Sequence, residues 1–226
     1  MKVLVLGYSD IARRRVLPAL RALGAERIDV ASQSRTTPAP ADAASIRLFC
    51  DYDVALQQTD ATVVYISTVN SAHACWARKA LDKGFHVIVD KPAFLGLDET
   101  HSLLELAAKQ GRCIAEATVY AYHPRIAAAL RVFDEFGTRP TRIVASFSFP
   151  SLSSLNFRHK RALGGGALWD LGAYAVTPGR IFFDASPVEI LGRHSGTGAE
   201  VETVFSTIAV YQEARTYVGI FGYGTG

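Results

Sequence analysis

Up to about residue 120 the chain alternates short apolar runs with amphipathic stretches of about a dozen residues, and few architectures accept that alternation. Residues 2–6 (KVLVL) read as a buried strand that ends at Gly7. In 11–23 (IARRRVLPALRAL), Ile11, Ala12, Val16, Leu20 and Leu23 recur at helical spacing, with Arg13, Arg14, Arg15 and Arg21 on the wet side. Pro18 inside that stretch predicts a kink. A second strand covers 27–32, and 33–45, rich in Ser, Thr, Pro and Ala, is a loop or an irregular helix. Strand 62–67 leads into helix 71–83, strand 86–89 into helix 98–110, and strand 113–117 closes the series. Strands separated by helices build a parallel sheet covered on both faces, with right-handed crossovers.

The pattern changes after about residue 120. A helix near 123–135 is followed by an alternating strand, 141–149, and a glycine-led helix, 167–183. The alternating segments 201–211 and 215–223, joined by QEA, predict an antiparallel hairpin. The expected fold class is α/β, in two domains. Residues 1–120 are expected to form a doubly wound parallel sheet. Residues 121–226 form an α+β domain with an open, mainly antiparallel sheet. The last residues, YVGIFGYGTG, read as a strand interrupted in progress, which predicts a fragment or an edge covered by something else.

Composition narrows the function. With 49% hydrophobic and 20% charged residues the chain is globular. A net charge of +3 is too weak to argue for nucleic acid. No stretch is long enough to span a membrane, and the N-terminal apolar run is too short for a signal peptide. Cys50, Cys75 and Cys113 lie far apart without metal spacing, so no metal is expected; they read as reduced, buried small hydrophobes in a cytoplasmic protein.

Four short stretches carry chemistry. The turn GYSDIA at 7–12 sits between the first strand and the first helix, where a dinucleotide fold meets a pyrophosphate. Gly7 supplies the turn, the Ser9 hydroxyl can donate to a phosphate, Asp10 and Ile11 complete the contact, and Ala12 permits close helix packing. The second strand ends in ASQSRT, with no acid to hold a ribose 2′-hydroxyl. Ser32, Ser34 and Arg35 there favour NADP, with NAD possible, unless Arg35 is simply a surface charge. In STVNSAH at 67–73, Thr68 and Asn70 lie at a strand end, where Asn70 can cap the helix and reach the cofactor. His73 is either a ligand contact or a satisfied helix-start histidine. In HVIVDKPAF, Asp90, Lys91 and Pro92 follow the 86–89 strand, so Lys91 aims at the cleft where ligands gather, or merely marks the strand end. Last, GGGALWDLGAY at 164–174 runs three glycines into a helix that carries Asp170 and Tyr174 on one face.

In this order, GYSDIA, TVNSAH, GFHVIVDKP and GGGALWDLGAY resemble the Gfo/Idh/MocA oxidoreductase family, over residues 2 to about 224. Tyr174, where many members carry a histidine, is similar to the glucose–fructose oxidoreductase, dihydrodiol dehydrogenase and sugar 3-ketoreductase branches. The resemblance implies a nicotinamide-binding Rossmann domain over residues 1–120, a working lysine at Lys91 and an aspartate at Asp170, in members longer than this chain. The implied reaction moves a hydride between nicotinamide and a carbonyl or hydroxyl carbon of a sugar or nucleotide-sugar. Tyr174 would donate the proton, Lys91 would lower its pKa and stabilise the alkoxide, and Asp170 would orient Lys91 or a substrate hydroxyl. The three glycines would let the backbone approach the nicotinamide. Arg158, first of the run Arg158, His159, Lys160 and Arg161, would meet the substrate, unless that run is a solvated loop. Other expectations are a homo-oligomer formed through the C-terminal sheet and no nucleic-acid or membrane partner. The competing reading is a non-catalytic nucleotide sensor on the same fold, or an inactive fragment.

Overall fold

The computed structural model describes residues 1–33, 46–196 and 200–224. The chain divides into two compact units, Met1–Ala117 and Thr118–Gly226.

The first unit holds six strands: β1 (Lys2–Leu6), β2 (Arg27–Ala31), β3 (Ile46–Phe49), β4 (Val63–Ile66), β5 (His86–Val89) and β6 (Ile114–Glu116). Their order is β3-β2-β1-β4-β5-β6, and every pairing is parallel. The order reverses between β1 and β4, which opens a crevice at the carboxyl ends of those strands. Alternation along β1 divides its side chains between two cores. Leu4 and Leu6 pack with Val64, Ile66, Val87 and Val89 under α3 (His73–Asp82) and α4 (Leu97–Lys109). Val3 and Val5 pack with Ile28, Val30 and Leu17 on the other face. The sheet is therefore buried on both sides, as its apolar strands predict.

Three local features differ from the sequence expectation. The Pro18 kink takes the form of a π turn, Ala12–Val16, running into α1 (Leu17–Ala22). Pro18 has no N–H to continue the ladder, and the turn before it widens so that the Leu17 N–H reaches the Ala12 carbonyl. Strand β3 and helix α2 (Tyr52–Gln58) were not anticipated; both are short, although Asp51 caps α2 by accepting from the Val54 N–H at 2.8 Å. All three cysteines are exposed free thiols, which corrects the expectation of burial. Cys75 lies on α3 beside buried Ala74 but off the face that packs Ala74, Ala77 and Leu81, while Cys50 and Cys113 stand just outside strand ends. Residues 34–45 lie outside the described residues.

The second unit contains α5 (Pro124–Glu135), β7 (Arg142–Phe149), α6 (Ala167–Phe183), β8 (Glu189–Ser195), β9 (Val204–Val210) and β10 (Thr216–Tyr223). Its sheet runs β7-β10-β9-β8. The β9–β10 and β8–β9 pairs are antiparallel and β7–β10 is parallel, so the sheet is mixed. Tyr217, Phe221 and Tyr223 of β10 point at Ala167, Leu171, Ala175 and Phe183 of α6. Strand β8 was not anticipated: all seven of its residues are exposed, and EILGRHS has no apolar alternation to betray it.

Candidate functional site

At the carboxyl ends of β1, β4 and β5 the sequence-predicted residues converge. Gly7 has φ +100°, and a Cβ there would collide with the Ser67 carbonyl, so only glycine closes this turn. A glycine turn between a strand and a helix, at the point where strand order reverses, fits a dinucleotide phosphate. Ser9 does not present a free proton to it. Its oxygen accepts the Ala12 N–H at 3.0 Å, and its hydroxyl lies 2.7 Å from that of Ser67. Ser67 donates to Asp90 Oδ2 and Tyr65 donates to Asp90 Oδ1, both at 2.5 Å. Burial first, then the Asp90 charge, raises the Tyr65 pKa far above that of a free phenol, so Tyr65 stays a donor.

Lys91 follows Asp90 and is bonded to Pro92, which the sequence places to fix the chain. His73, fully buried, sits between two backbone carbonyls: Nδ1 lies 2.9 Å from the Pro92 oxygen and Nε2 3.2 Å from the Thr68 oxygen. With its proton on Nδ1 the neutral ring donates to Pro92, the shorter contact, as a helix-start histidine that holds backbone does. Asn70 is buried and opens a 3₁₀ turn, Asn70–Ala72, ahead of α3; the N-cap residues of the two helices, Val69 and Ala72, make no side-chain cap. Asp10 and Ile11 are exposed, and Asp10 forms an ion pair with Arg13 at 2.7 Å that holds its carboxyl below the usual range. Ser32 follows β2, its N–H bonded to the Phe49 carbonyl. Ser34 and Arg35 lie outside the described residues.

In the second unit Arg158, Asp170 and Tyr174 come together. Asp170 is 5% exposed and takes a hydrogen bond from Arg158 Nε at 2.8 Å. Its partner within this unit is thus an arginine from the loop ahead of the glycines. The Tyr174 ring packs on Tyr120 and Phe147, with centroids 5.2 and 5.7 Å away. Burial, then the Asp170 charge, raises the Tyr174 pKa, while Arg158 pulls it the other way. Burial and Asp170 thus act against the lowering expected from Lys91, and Arg158 acts with it.

The glycines have a local reason that sequence reading missed. A Cβ on Gly165 would stand 2.5 Å from the Arg158 carbonyl oxygen, and one on Gly166 would strike the Glu202 carboxylate. Gly165 and Gly166 donate their N–H groups to the Lys160 and Arg158 carbonyls, folding the loop back on itself. Glu202 then caps α6 by accepting the Leu168 N–H at 2.9 Å, and its backbone carbonyl accepts that of Ala167. Nothing in the sequence near residue 167 signals Glu202.

The two-unit α/β architecture and the glycine turn define a nucleotide-binding oxidoreductase fold, and the chain belongs to the Gfo/Idh/MocA family. That family's model, oxidoreductases with an NAD-binding Rossmann fold, matches residues 1–118. The chain is 34% identical over 179 residues to dTDP-3,4-didehydro-2,6-dideoxy-alpha-D-glucose 3-reductase of Streptomyces violaceoruber, covering 78% of this chain and 52% of that protein. It is 31% identical to the Saccharopolyspora spinosa reductase of the same name, covering 99% and 68%. It is 30% identical to D-xylose 1-dehydrogenase (NADP(+)) 2 of Haloferax volcanii, covering 94% and 66%. The chain therefore spans between about half and two thirds of the length of these curated relatives. Among solved structures, KijD10, a 3-ketoreductase from Actinomadura kijaniata in complex with NADP and TDP-benzene, superposes with a TM-score of 0.88 at 27% identity, over 100% of this chain and 71% of that one. KijD10 has also been solved as a tyrosine-to-phenylalanine and as a lysine-to-alanine mutant.

Proposed function

We propose that this chain belongs to an NADP-dependent reductase that acts on a carbonyl or hydroxyl carbon of a sugar or nucleotide-sugar. Residues 1–120 bind the nucleotide and 121–226 the substrate. The observation that carries the reading is Tyr174: a phenol whose pKa burial and then the Asp170 charge raise, on the same face of α6 as buried Asp170, which Arg158 engages. When bound, nicotinamide would supply or accept the hydride. Tyr174 gives its hydroxyl proton to the carbonyl oxygen of a ketone substrate, and Lys91 steadies the negative charge that develops there. Asp170 holds Arg158, and Arg158 meets the substrate; a sugar joined to a nucleoside diphosphate suits that cation. The names of the 3-reductases and the NADP and TDP-benzene bound to KijD10 support this class.

The cofactor is NADP because the ASQSRT segment offers Ser32, Ser34 and Arg35 and no acid. The protein assembles as a homo-oligomer through the C-terminal sheet. In support, Val144, Val218, Ile208 and Leu191 are in register across all four strands, and Val144, Ile208 and Leu191 are exposed. The free thiols support a cytoplasmic setting. Among the described residues no helix is long and apolar enough to cross a membrane.

Fluorescence titration with NADPH and NADH tests the cofactor, and turnover of a dTDP-linked 3-keto sugar tests the reaction. NADPH should bind at least tenfold more tightly, and Arg35→Ala should remove that preference. Preference for NADH would overturn the reading of Ser34 and Arg35. Failure of Tyr174→Phe to slow reduction would remove Tyr174 from the chemistry.

A further inference from the structure

Ser67 stands where three strand ends meet. It follows β4, is 2% exposed, and its carbonyl lies against Gly7. Its single hydroxyl proton goes to Asp90, so in the 2.7 Å contact with Ser9 the serine of the glycine turn is the donor. Ser9 in turn accepts the Ala12 N–H. The protons run one way, from Ala12 through Ser9 and Ser67 onto the Asp90 carboxylate, and Tyr65 occupies its other oxygen. Hydroxyls aligned toward an anion strengthen one another. The chain spends the one proton Ser9 could offer a phosphate, and it engages both oxygens of Asp90 with protein donors. On the far side of Lys91, His73 holds the Pro92 carbonyl.

We propose, resting on the reading of Lys91 as the working lysine, that Asp90, Ser67 and Tyr65 are positioning residues. They pin the residue before Lys91 while His73 pins the one after it. Through the Ser67–Ser9 contact they tie the placement of the lysine to the turn that receives the cofactor phosphates. Asp90 and Ser9 thus serve the cofactor through the protein rather than by side-chain contact. Tyr65 and Ser67 join the site although neither would touch substrate.

The test is competitive acetylation of Lys91 by acetic anhydride in the full chain, read by peptide mass spectrometry with and without saturating NADPH. In the unmutated chain NADPH should slow Lys91 labelling at least tenfold. In Tyr65→Phe, which removes one hydroxyl at constant shape, and in Ser67→Ala, protection should fall below about threefold at saturating NADPH. Thermal unfolding is followed alongside. Variants that lose melting temperature but keep full protection would reduce the network to a structural role and overturn the inference. Absence of protection in the unmutated chain would overturn the reading of Lys91 itself, and the inference with it.

Discussion

The two units solve the problem of covering a sheet in opposite ways. In the first, every strand runs parallel and helices bury both faces, with Leu4 and Leu6 in one core and Val3 and Val5 in the other. In the second, one core lies between the sheet and α6, and the opposite face shows Val144, Ile208, Leu191 and Ile220 to solvent. A sheet built from βαβ crossovers brings its own cover, because each crossover is a helix. A sheet closed by a β9–β10 hairpin brings none for its second face. The units also differ in how they handle charge. The first collects hydroxyls around one carboxylate, Asp90; the second pairs Asp170 with Arg158 and surrounds them with phenols.

The sharpest break in this comparison would come from Tyr174→Phe. Loss of a proton donor should lower turnover by about two to four orders of magnitude. NADPH affinity, assigned in the proposal to the first unit, should stay unchanged by fluorescence titration; a parallel loss of affinity would refute the division of labour. Next in size are core and face truncations compared by urea unfolding. Leu81→Ala, from the fully buried face of α3, should cost about 2–5 kcal/mol. Leu191→Ala, 56% exposed on β8 in the single chain, should cost less than about 0.5 kcal/mol at concentrations where the chain is dissociated. A larger loss where it associates would support the proposed interface through this sheet.

Asp170→Asn should be smaller than the core change, about 1–3 kcal/mol, because it replaces a charge-assisted hydrogen bond from Arg158 by a weaker one. It should also lower the Tyr174 pKa, since the raising influence of Asp170 goes while the lowering influence of Arg158 remains. Phenolate absorbance during alkaline titration reads that shift. Stability at high pH compares the units in another way. Burial, then Asp170 and Glu202, pushes the Tyr223 pKa up to about 12. An unfolded phenol titrates near 10, so the folded state binds this proton more tightly. Its contribution is complete below about pH 10 and is lost as pH rises toward 12. Tyr174 and Tyr217 shift in the same direction. A chain as stable at pH 11.5 as at pH 9 would contradict the burial of these phenols.

Much of the fold was legible. Strand β1, helix α6 and the β9–β10 hairpin fall where apolar periodicity placed them, because each carries a full period of burial on its own. Strand β3 has four residues, with exposed Arg47 and Leu48 between buried ends, and β8 is exposed throughout; neither leaves a periodic trace. The site residues were legible as chemical types at strand ends and on one helix face. Their partners were not. The sequence marks Asp90 as a cofactor contact, and its oxygens accept from Tyr65 and Ser67; it marks Asp170 as orienting Lys91 or a substrate hydroxyl, and one of its partners within its own unit is Arg158. The glycine run shows a need for absent side chains, and at Gly165 and Gly166 the surfaces that need it belong to Arg158, Lys160 and Glu202.

By itself the sequence determined the alternation of strands and helices, the place of the glycine turn and the face shared by Asp170 and Tyr174. Those are properties of neighbours within one or two turns of chain, where backbone sterics and side-chain period act directly. Only the tertiary structure decided that Ser9 meets Ser67, 58 residues away, and that Glu202 caps a helix beginning at Ala167. A hydrogen bond needs its partner within about 3 Å, and which distant residue arrives there depends on how whole strands register and pack.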